Sequence, residues 1–306
     1  MSAILDGYEA LGTKFWVEIY DEVITFSLSV LGENVIGILK DFEKKYSRFD
    51  TNSLLNKYNR GEVKYADLDE EFVDILAKSH HFMEISDNIF DIYIQDKLVE
   101  KGYGPFNTTP SASGTSPRGG LNTSEAEAPL GELPVGLRGL NFIDLGGIGK
   151  GYVIDKISRL LKEKNGIKYF LINGGGDMYM TSDNEKPIEM YMQHPINRDE
   201  YIDTLHLKDK AFCASSSFVR ILPPPPTPPS RGGGQAHLRN HFITPDGSEV
   251  WAASYIVGDD AATADVAATI ACILSNQKEK LEQVMNRLSV QYYVINERGE
   301  RLGNMI

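Results

Sequence analysis

The feature that most constrains the fold is the order of strand-like and helix-like segments in the second half of the chain. Runs rich in β-branched and aromatic residues, typical of strands, stand among runs with apolar residues at helical spacing. The strand-like runs come in pairs as well as alternating with helices, whereas a doubly wound parallel sheet alternates throughout. We therefore predict an α+β fold in which layered mixed or antiparallel sheets pack with helices. The predicted strands are 168–172, 188–192, 251–257 and 290–295, and the predicted helices are 152–164, 262–274 and 278–288.

The first half of the chain adds one strand and two helices. Residues 12–20 (GTKFWVEIY) are rich in β-branched and aromatic residues and predict a strand. Residues 34–46 and 70–85 repeat apolar residues at helical spacing, with charges between them. With 306 residues, of which 42% are apolar, the chain can bury a large core in one large domain or in two of ordinary size.

Two stretches interrupt this globular pattern. Residues 107–139 are rich in Ser, Thr, Pro and Gly, and residues 223–234 read PPPPTPPSRGGG, which suits neither a helix nor an interior strand. They share a fragment, TSPRGG at 115–120 and PPSRGGG at 228–234. We interpret both as insertions into surface loops of a compact fold. A proline-rich docking motif in the polyproline II conformation is the alternative interpretation.

The acidic charge balance excludes some classes of partner. With 31 Lys and Arg against 43 Asp and Glu, the formal net charge is −12. The long-range field of such a protein repels phosphates, so we expect neither nucleic-acid binding nor attraction to anionic membranes. Any phosphate chemistry must therefore depend on a local metal ion, a lysine or backbone amides.

Cysteine usage and hydropathy bear on the compartment. Cys213 and Cys272 lie in apolar or small-residue stretches and are expected to be buried thiols. No window of 18 apolar residues occurs, so no membrane span is expected. The N-terminal residues carry no export signal, and the sequence as given predicts a cytoplasmic protein, although a chain trimmed of its leader would read the same.

Residues 143–155 (IDLGGIGKGYVID) are the most informative stretch for chemistry. Four glycines in six positions precede a helix, which places backbone N–H groups where they can bind an anion, and Lys150 adds a positive charge. The stretch matches neither a Walker A loop nor GxGxxG. A second glycine turn, INGGGD at 172–177, follows a strand. Each turn can be purely structural or can bring the backbone close to a ligand.

A third stretch, AATADVAAT at 261–269, carries a pair of oxygen ligands. On a helix, Asp265 and Thr269 stand four residues apart and share one face, with small alanines around them. Such a pair suits magnesium, which takes few protein ligands and completes its shell with water and substrate phosphate. The alternative is structural: the Asp is stabilised by the helix dipole and the Thr is bonded to its own helix.

A fourth stretch, NHFITPDG at 240–247, places His241 before an apolar pair and a turn. His241 is close in sequence to the predicted metal helix, and a neutral imidazole there can act as a general base. A histidine in this setting can equally have no chemical role.

Several segments, taken in order, resemble the ApbE family of FAD:protein FMN transferases. The match covers nearly the whole chain apart from the two insertions, and its most specific parts are the glycine–lysine loop and the Asp/Thr helix. The matching segments are ALGTKF at 10–15, SRFDTNSLLN at 47–56, DNIFD at 87–91, DLGGIGKGY at 144–152, INGGGD at 172–177, SSSFVR at 215–220, HFITPDG at 241–247 and ADVAAT at 264–269.

The resemblance implies a single ApbE-like domain over residues 1–306 and a role for each matching residue. Asp265 and Thr269 would bind Mg²⁺ with a carbonyl oxygen from Gly147, Asp265 would be essential to catalysis, and His241 would be the catalytic base. Leu11 and Phe49 would flank the flavin. The remaining FAD-binding residues that the resemblance implies are Asp144, Lys150, Ile89, Phe90, Asp91 and Ile243.

The implied reaction fits the acidic chain. Cleavage of a pyrophosphate develops negative charge that a magnesium ion can neutralise locally. A base then activates a Ser or Thr hydroxyl of the acceptor, which attacks the FMN phosphorus and releases AMP. The acceptor that the resemblance implies is a flavoprotein, typically a subunit of a redox complex.

Two departures from the family pattern leave other functions open. Gly149 stands where the family has Ala, and the turn after His241 is shortened to residues 244–247. An FAD pyrophosphatase, with water in place of the acceptor hydroxyl, would share the same site. A flavin-binding protein without catalysis is the third possibility.

Overall fold

The computed structural model describes residues 3–21, 27–101, 103, 142–182, 186–197, 199–218, 221–222 and 239–305. The two predicted insertions, 107–139 and 223–234, lie outside the described residues, and so does the end of the Ser-rich segment at 219–220.

An eight-stranded sheet forms the centre of the described molecule, and each pairing within it is antiparallel. The prediction of an α+β fold with antiparallel sheets and packed helices is confirmed. In spatial order the strands are β1 (Ala3–Ala10), β2 (Thr13–Ile19), β3 (Phe170–Gly174), β4 (Asp177–Thr181), β7 (Lys210–Ser216), β10 (Ala252–Gly258), β11 (Gln291–Asn296) and β12 (Arg301–Gly303).

Two two-stranded sheets complete the described strands. β5 (Ile188–Gln193) pairs with β6 (Tyr201–Leu207), and their apolar side chains join a cluster with strands β7, β10 and β11. β8 (Ile221–Leu222) pairs with β9 (Arg239–Asn240), so the two chain ends that flank residues 223–238 lie side by side.

Helices contribute to the larger apolar core, which also takes in residues of the main sheet. The predicted helix 34–46 begins earlier, at Leu28, and the predicted helix 152–164 begins at Gly149 and ends in a π-helical turn over Leu160–Lys164. The helices are α1 (Leu28–Tyr46), α2 (Leu54–Asn59), α3 (Glu70–Ile85), α4 (Gln95–Glu100), α5 (Gly149–Arg159), α6 (Ala261–Ile273) and α7 (Lys278–Arg287).

Residue patterns did not predict strands β1, β4, β6, β7, β8, β9 and β12, and the sequences of β1, β4 and β7 explain why. β1 contains Gly7 with a positive φ and an irregular register between Leu5 and Tyr8. β4 begins directly after the turn Gly175–Gly176, whose φ angles of +74° and +101° favour glycine. Small and polar residues dilute the strand signal in β7 (KAFCASS).

Two further expectations concern the cysteines and the membrane. Cys213 and Cys272 are buried and free, which confirms the prediction of buried thiols. Among the described helices, none combines the length and apolar character that crossing a bilayer requires.

Candidate active site

A cavity of about 750 Å³ brings the predicted site residues together, with the exception of Phe49. Its helical wall consists of α5 and α6 (residues 149–159 and 261–273), the glycine-rich loop at 144–148 and the start of β4 at Asp177. Its loop wall consists of residues 239–250. The predicted residues that line the cavity are Leu11, Ile89, Phe90, Asp91, Asp144, Gly147, Lys150, His241, Ile243, Asp265 and Thr269.

At the start of the glycine-rich loop, both carboxylate oxygens of Asp144 are held by other groups. Asp144 is buried, and its Oδ1 accepts a hydrogen bond of 2.9 Å from the backbone N–H of Gly146. Its Oδ2 lies 2.6 Å from the guanidinium of Arg48. Helix α5 then begins at Gly149, whose N–H donates to the carbonyl oxygen of Leu145 at 2.8 Å, and the N–H of Gly151 donates to Asp265 at 3.0 Å.

Lys150 stands between two buried carboxylates. Its Nζ pairs with Oδ2 of Asp177 and lies 3.0 Å from Oδ1 of Asp265. Burial alone would lower the pKa of Lys150, but the two carboxylates outweigh it and hold the pKa above its usual range. Burial raises the pKa of Asp265 above its usual range, against the opposing effect of Lys150. Sequence analysis assigned no role to Asp177, because the residue was read only as the last position of the glycine turn at 172–177.

Backbone contacts join the two helices of the helical wall. A Cβ at Gly151 would lie 2.3 Å from the carbonyl oxygen of Ala261, so only glycine allows this approach. Asp155 of α5 accepts hydrogen bonds of 2.8 and 2.9 Å from the N–H groups of Ala261 and Ala262. Burial raises the pKa of Asp155 to about 6. These contacts fix the start of α6, and hence Asp265, against α5.

The oxygen donors of this wall suit a magnesium ion. Asp265 is buried, Thr269 lines the same cavity, and a Cβ at Gly147 would lie 3.9 Å from the Thr269 hydroxyl oxygen. Oδ1 of Asp177 is buried and has no hydrogen-bond partner among the described residues. The described residues hold no cluster of three or more His, Cys, Asp or Glu that could bind a metal. Magnesium is usually bound by one or two carboxylates and keeps several water ligands, so these oxygen donors fit it.

Side-chain hydrogen bonds, rather than regular elements, hold the loop wall. Asn240 is buried, donates to the carbonyl oxygen of Val250 at 2.7 Å and accepts from the N–H of Phe242 at 3.0 Å. Lys101 donates to the carbonyl oxygen of Phe242 at 2.7 Å and pairs with Glu249 at 2.9 Å. His241 is half-buried at the centre of this network and faces the cavity.

Arg48 connects the loop wall with the glycine-rich loop. Besides its pair with Asp144, its guanidinium lies 4.4 Å from the centre of the Tyr103 ring, and that ring lies 5.8 Å from the His241 ring. Arg48 is a site residue that sequence analysis missed. Its signal was available, since it stands between Ser47 and Phe49 in a segment already singled out.

The structure does not bring Phe49 into the cavity lining. Its side chain is 60% exposed and packs on the Arg48 guanidinium, 5.0 Å from ring centre to carbon. Leu11 does line the cavity, in the turn between β1 and β2, where its φ of +53° and that of Gly12 at +70° form a tight reversal. Its N–H donates to Glu43 at 2.9 Å.

Comparison with known proteins yields one family and several relatives. The ApbE family model matches residues 11–294. An FAD:protein FMN transferase of Haemophilus influenzae is 22% identical over 209 residues, 63% of this chain and 59% of the relative. One of Klebsiella pneumoniae is 26% identical over 215 residues, 67% of this chain and 60% of the relative. The chain thus spans about three fifths of the length of these relatives.

Solved structures show the same fold at low sequence identity. The ApbE protein of Thermotoga maritima superposes with a TM-score of 0.75 at 19% identity, covering 100% of this chain and 97% of that one. The flavin transferase ApbE of Vibrio cholerae gives 0.72 at 16% identity, with coverage of 100% and 97%. The flavinyl transferase ApbE of Pseudomonas stutzeri, in its apo form, gives 0.72 at 16%, with coverage of 99% and 94%.

Proposed function

Because the chain belongs to the ApbE family, we propose that it transfers the FMN half of FAD to a Ser or Thr hydroxyl of an acceptor flavoprotein and releases AMP. The observation that carries this proposal is the shared cavity. Gly149 and Lys150 at the start of α5, the Asp265–Thr269 pair and His241 all line it, although they are far apart in sequence.

The helical wall is the proposed place of the FAD pyrophosphate. The glycine-rich loop brings the backbone close to its oxygens, and Asp144, Lys150 and Arg48 set the charge around them. Leu11 flanks the flavin, Ile89, Phe90 and Asp91 line the nucleotide, and Ile243 forms the opposite wall. Phe49 keeps its proposed place beside the flavin only if its exposed ring turns toward the cavity.

Asp265, Thr269 and the Gly147 carbonyl are the proposed magnesium ligands. When bound, magnesium would neutralise the charge that develops on the phosphate oxygens during cleavage. The protein's own contribution is to hold these oxygens in place, through the Gly151 N–H on Asp265 and the docking of α5 against α6. Such preorganisation reduces the reorganisation that the reaction requires.

His241 is the proposed general base on the loop wall. It takes the proton of the acceptor hydroxyl, and the hydroxyl oxygen then forms a bond to the FMN phosphorus as the bond to the AMP oxygen breaks. The bonds of Asn240 and Lys101 to neighbouring backbone groups hold the imidazole at the cavity. The proposed acceptor is a subunit of a redox complex, as the resemblance to the family implies.

Mass spectrometry of an acceptor protein tests the proposal. The chain, FAD and Mg²⁺ are incubated with a candidate acceptor and with its variant in which the target Ser or Thr is replaced by Ala. A covalent FMN on the first acceptor alone, absent when a chelator is added, supports transfer. Free FMN and AMP with either acceptor would instead indicate a pyrophosphatase, and intact FAD throughout would indicate binding without catalysis.

A further inference from the structure

Two buried carboxylates share one lysine in the helical wall, and they are not equivalent. The side chains of Asp177 and Asp265 are each 2% exposed, and both pair with Nζ of Lys150. The two residues reach the lysine from opposite elements, since Asp177 is the first residue of β4 and Asp265 lies in α6.

The difference lies in their remaining oxygens. The second oxygen of Asp265 accepts a hydrogen bond of 3.0 Å from the backbone N–H of Gly151. The second oxygen of Asp177 is buried and has no hydrogen-bond partner among the described residues. Buried carboxylate oxygens normally accept a hydrogen bond or pair with a cation. Oδ1 of Asp177 does neither among the described residues, so it can still bind a cation.

At the proposed magnesium site, the metal and Lys150 compete for Asp265, and Oδ1 of Asp177 offers the lysine another acceptor. Lys150 lies 3.0 Å from Oδ1 of Asp265, the carboxylate that the proposed function assigns to Mg²⁺. An ammonium and a divalent cation on one carboxylate repel each other strongly in a buried place. The lysine must therefore withdraw from Asp265 when magnesium binds, and it needs another acceptor within reach.

We propose that Asp177 is a positioning residue that holds Lys150 away from Asp265 and so sets the affinity of the site for magnesium. This inference rests on the magnesium site of the proposed function. With Asp177 present, the two carboxylates exceed the lysine by one negative charge. Without it, Lys150 has Asp265 as its only carboxylate partner among the described residues and competes with the metal for it.

A double-mutant cycle on magnesium binding tests the inference. Wild type, Asp177→Asn, Lys150→Met and the double variant are titrated with Mg²⁺ by calorimetry, and the rise in unfolding midpoint with Mg²⁺ concentration is measured in parallel. We expect Asp177→Asn to weaken magnesium binding about tenfold or more. Lys150→Met should bind magnesium at least as tightly as wild type, and adding Asp177→Asn to it should change affinity less than about threefold.

The outcomes separate this role from others. Equal weakening by Asp177→Asn with and without Lys150 would make Asp177 a direct ligand and overturn the inference. Wild-type affinity in Asp177→Asn would overturn it and leave the proposed magnesium site intact, whereas no binding in wild type would overturn both. If Asp177→Asn does not fold, the Lys150→Met result decides, since weaker binding there contradicts competition. Asp177→Glu, which retains the charge, should restore part of the affinity.

Discussion

The two walls of the cavity are built in different ways, although both carry groups that the proposed reaction uses. In the helical wall, backbone meets backbone at Gly151 and Ala261, and buried carboxylates hold the ends together. In the loop wall, the chain around His241 has little regular structure and is held by the side chains of Asn240, Lys101 and Glu249.

Because of this difference, we expect mutations in the helical wall to change stability, whereas mutations in the loop wall can change activity alone. Tight packing makes a change in the helical wall costly to the whole fold, because cores cannot relax around an added atom. A loop held by a few side-chain hydrogen bonds can lose a functional group and leave the fold intact. The two departures from the family pattern fall one on each wall, Gly149 on the helical side and residues 244–247 on the loop side.

The largest expected effect comes from Asp265, the proposed metal ligand of the helical wall. Asp265→Asn keeps the shape and the bond from Gly151 but removes the charge, so we expect FMN transfer to slow about a thousandfold, the loss that several kcal/mol of missing charge stabilisation produces. Initial rates of AMP release at high Mg²⁺ measure it. Asp259→Asn is the matched control, since Asp259 is exposed and its loss should leave the rate unchanged. A rate within tenfold of wild type would remove Asp265 from the reaction.

The next largest effect is expected from His241, the proposed base of the loop wall. His241→Ala should slow transfer about a hundredfold, the usual contribution of a general base, while the free energy of unfolding stays within about 0.5 kcal/mol of wild type. Rates and urea unfolding are measured on the same samples. His206→Ala is the control variant, because His206 is exposed on β6 and does not line the cavity. Equal rates for the two alanine variants, or a large loss of stability in His241→Ala, would break the contrast between the walls.

A change of one methyl group tests the packing of the helical wall. Gly151→Ala places a Cβ against the Ala261 carbonyl, and we expect it to lower the free energy of unfolding by about 2 kcal/mol. Gly149→Ala, two residues earlier, is the control because its Cβ would lie 3.4 Å from the Phe42 ring, an ordinary contact. Urea unfolding measures both. Equal midpoints would mean that the helices separate easily and that the wall is not rigid.

The smallest expected effect concerns Phe49, beside the loop wall. If its ring packs on the flavin, Phe49→Ala weakens FAD binding about three- to tenfold, the value of one aromatic contact, without a change in stability. Fluorescence titration with FAD measures the affinity, and Phe49→Tyr, which keeps the ring, should bind normally. Unchanged affinity in the alanine variant would remove Phe49 from the flavin site.

How much of the site could be predicted depends on whether its contacts are local in sequence. Asp265 and Thr269 were predictable as a pair because four residues make one helical turn. The pairs Lys150–Asp177 and Arg48–Asp144 join residues 27 and 96 positions apart. The packing of α5 against β3 and β4 and the packing of the loop at 47–50 bring these together, and neither leaves a periodic signal.

The fold was predictable for the same reason where elements are strongly periodic. The bounds of α3 agree with the predicted helix 70–85, whereas α5 begins at Gly149, earlier than its apolar spacing indicates. Gly149 and Gly151 weaken the helix prediction at the start of α5. Gly151 is nevertheless required there, because α6 approaches it closely. Family resemblance placed Phe49 near the flavin but could not fix the direction of its side chain.

The short ladder between β8 and β9 has a consequence for how the gene can change in length. Ile221 pairs with Asn240 and Leu222 with Arg239, so the chain departs and returns at adjacent points, and His241 follows immediately. Closing a longer excursion costs only about 0.6 kcal/mol per doubling of its length. We therefore expect insertions and deletions between residues 222 and 239 to leave His241 in place. The same position is a natural place to graft a reporter peptide.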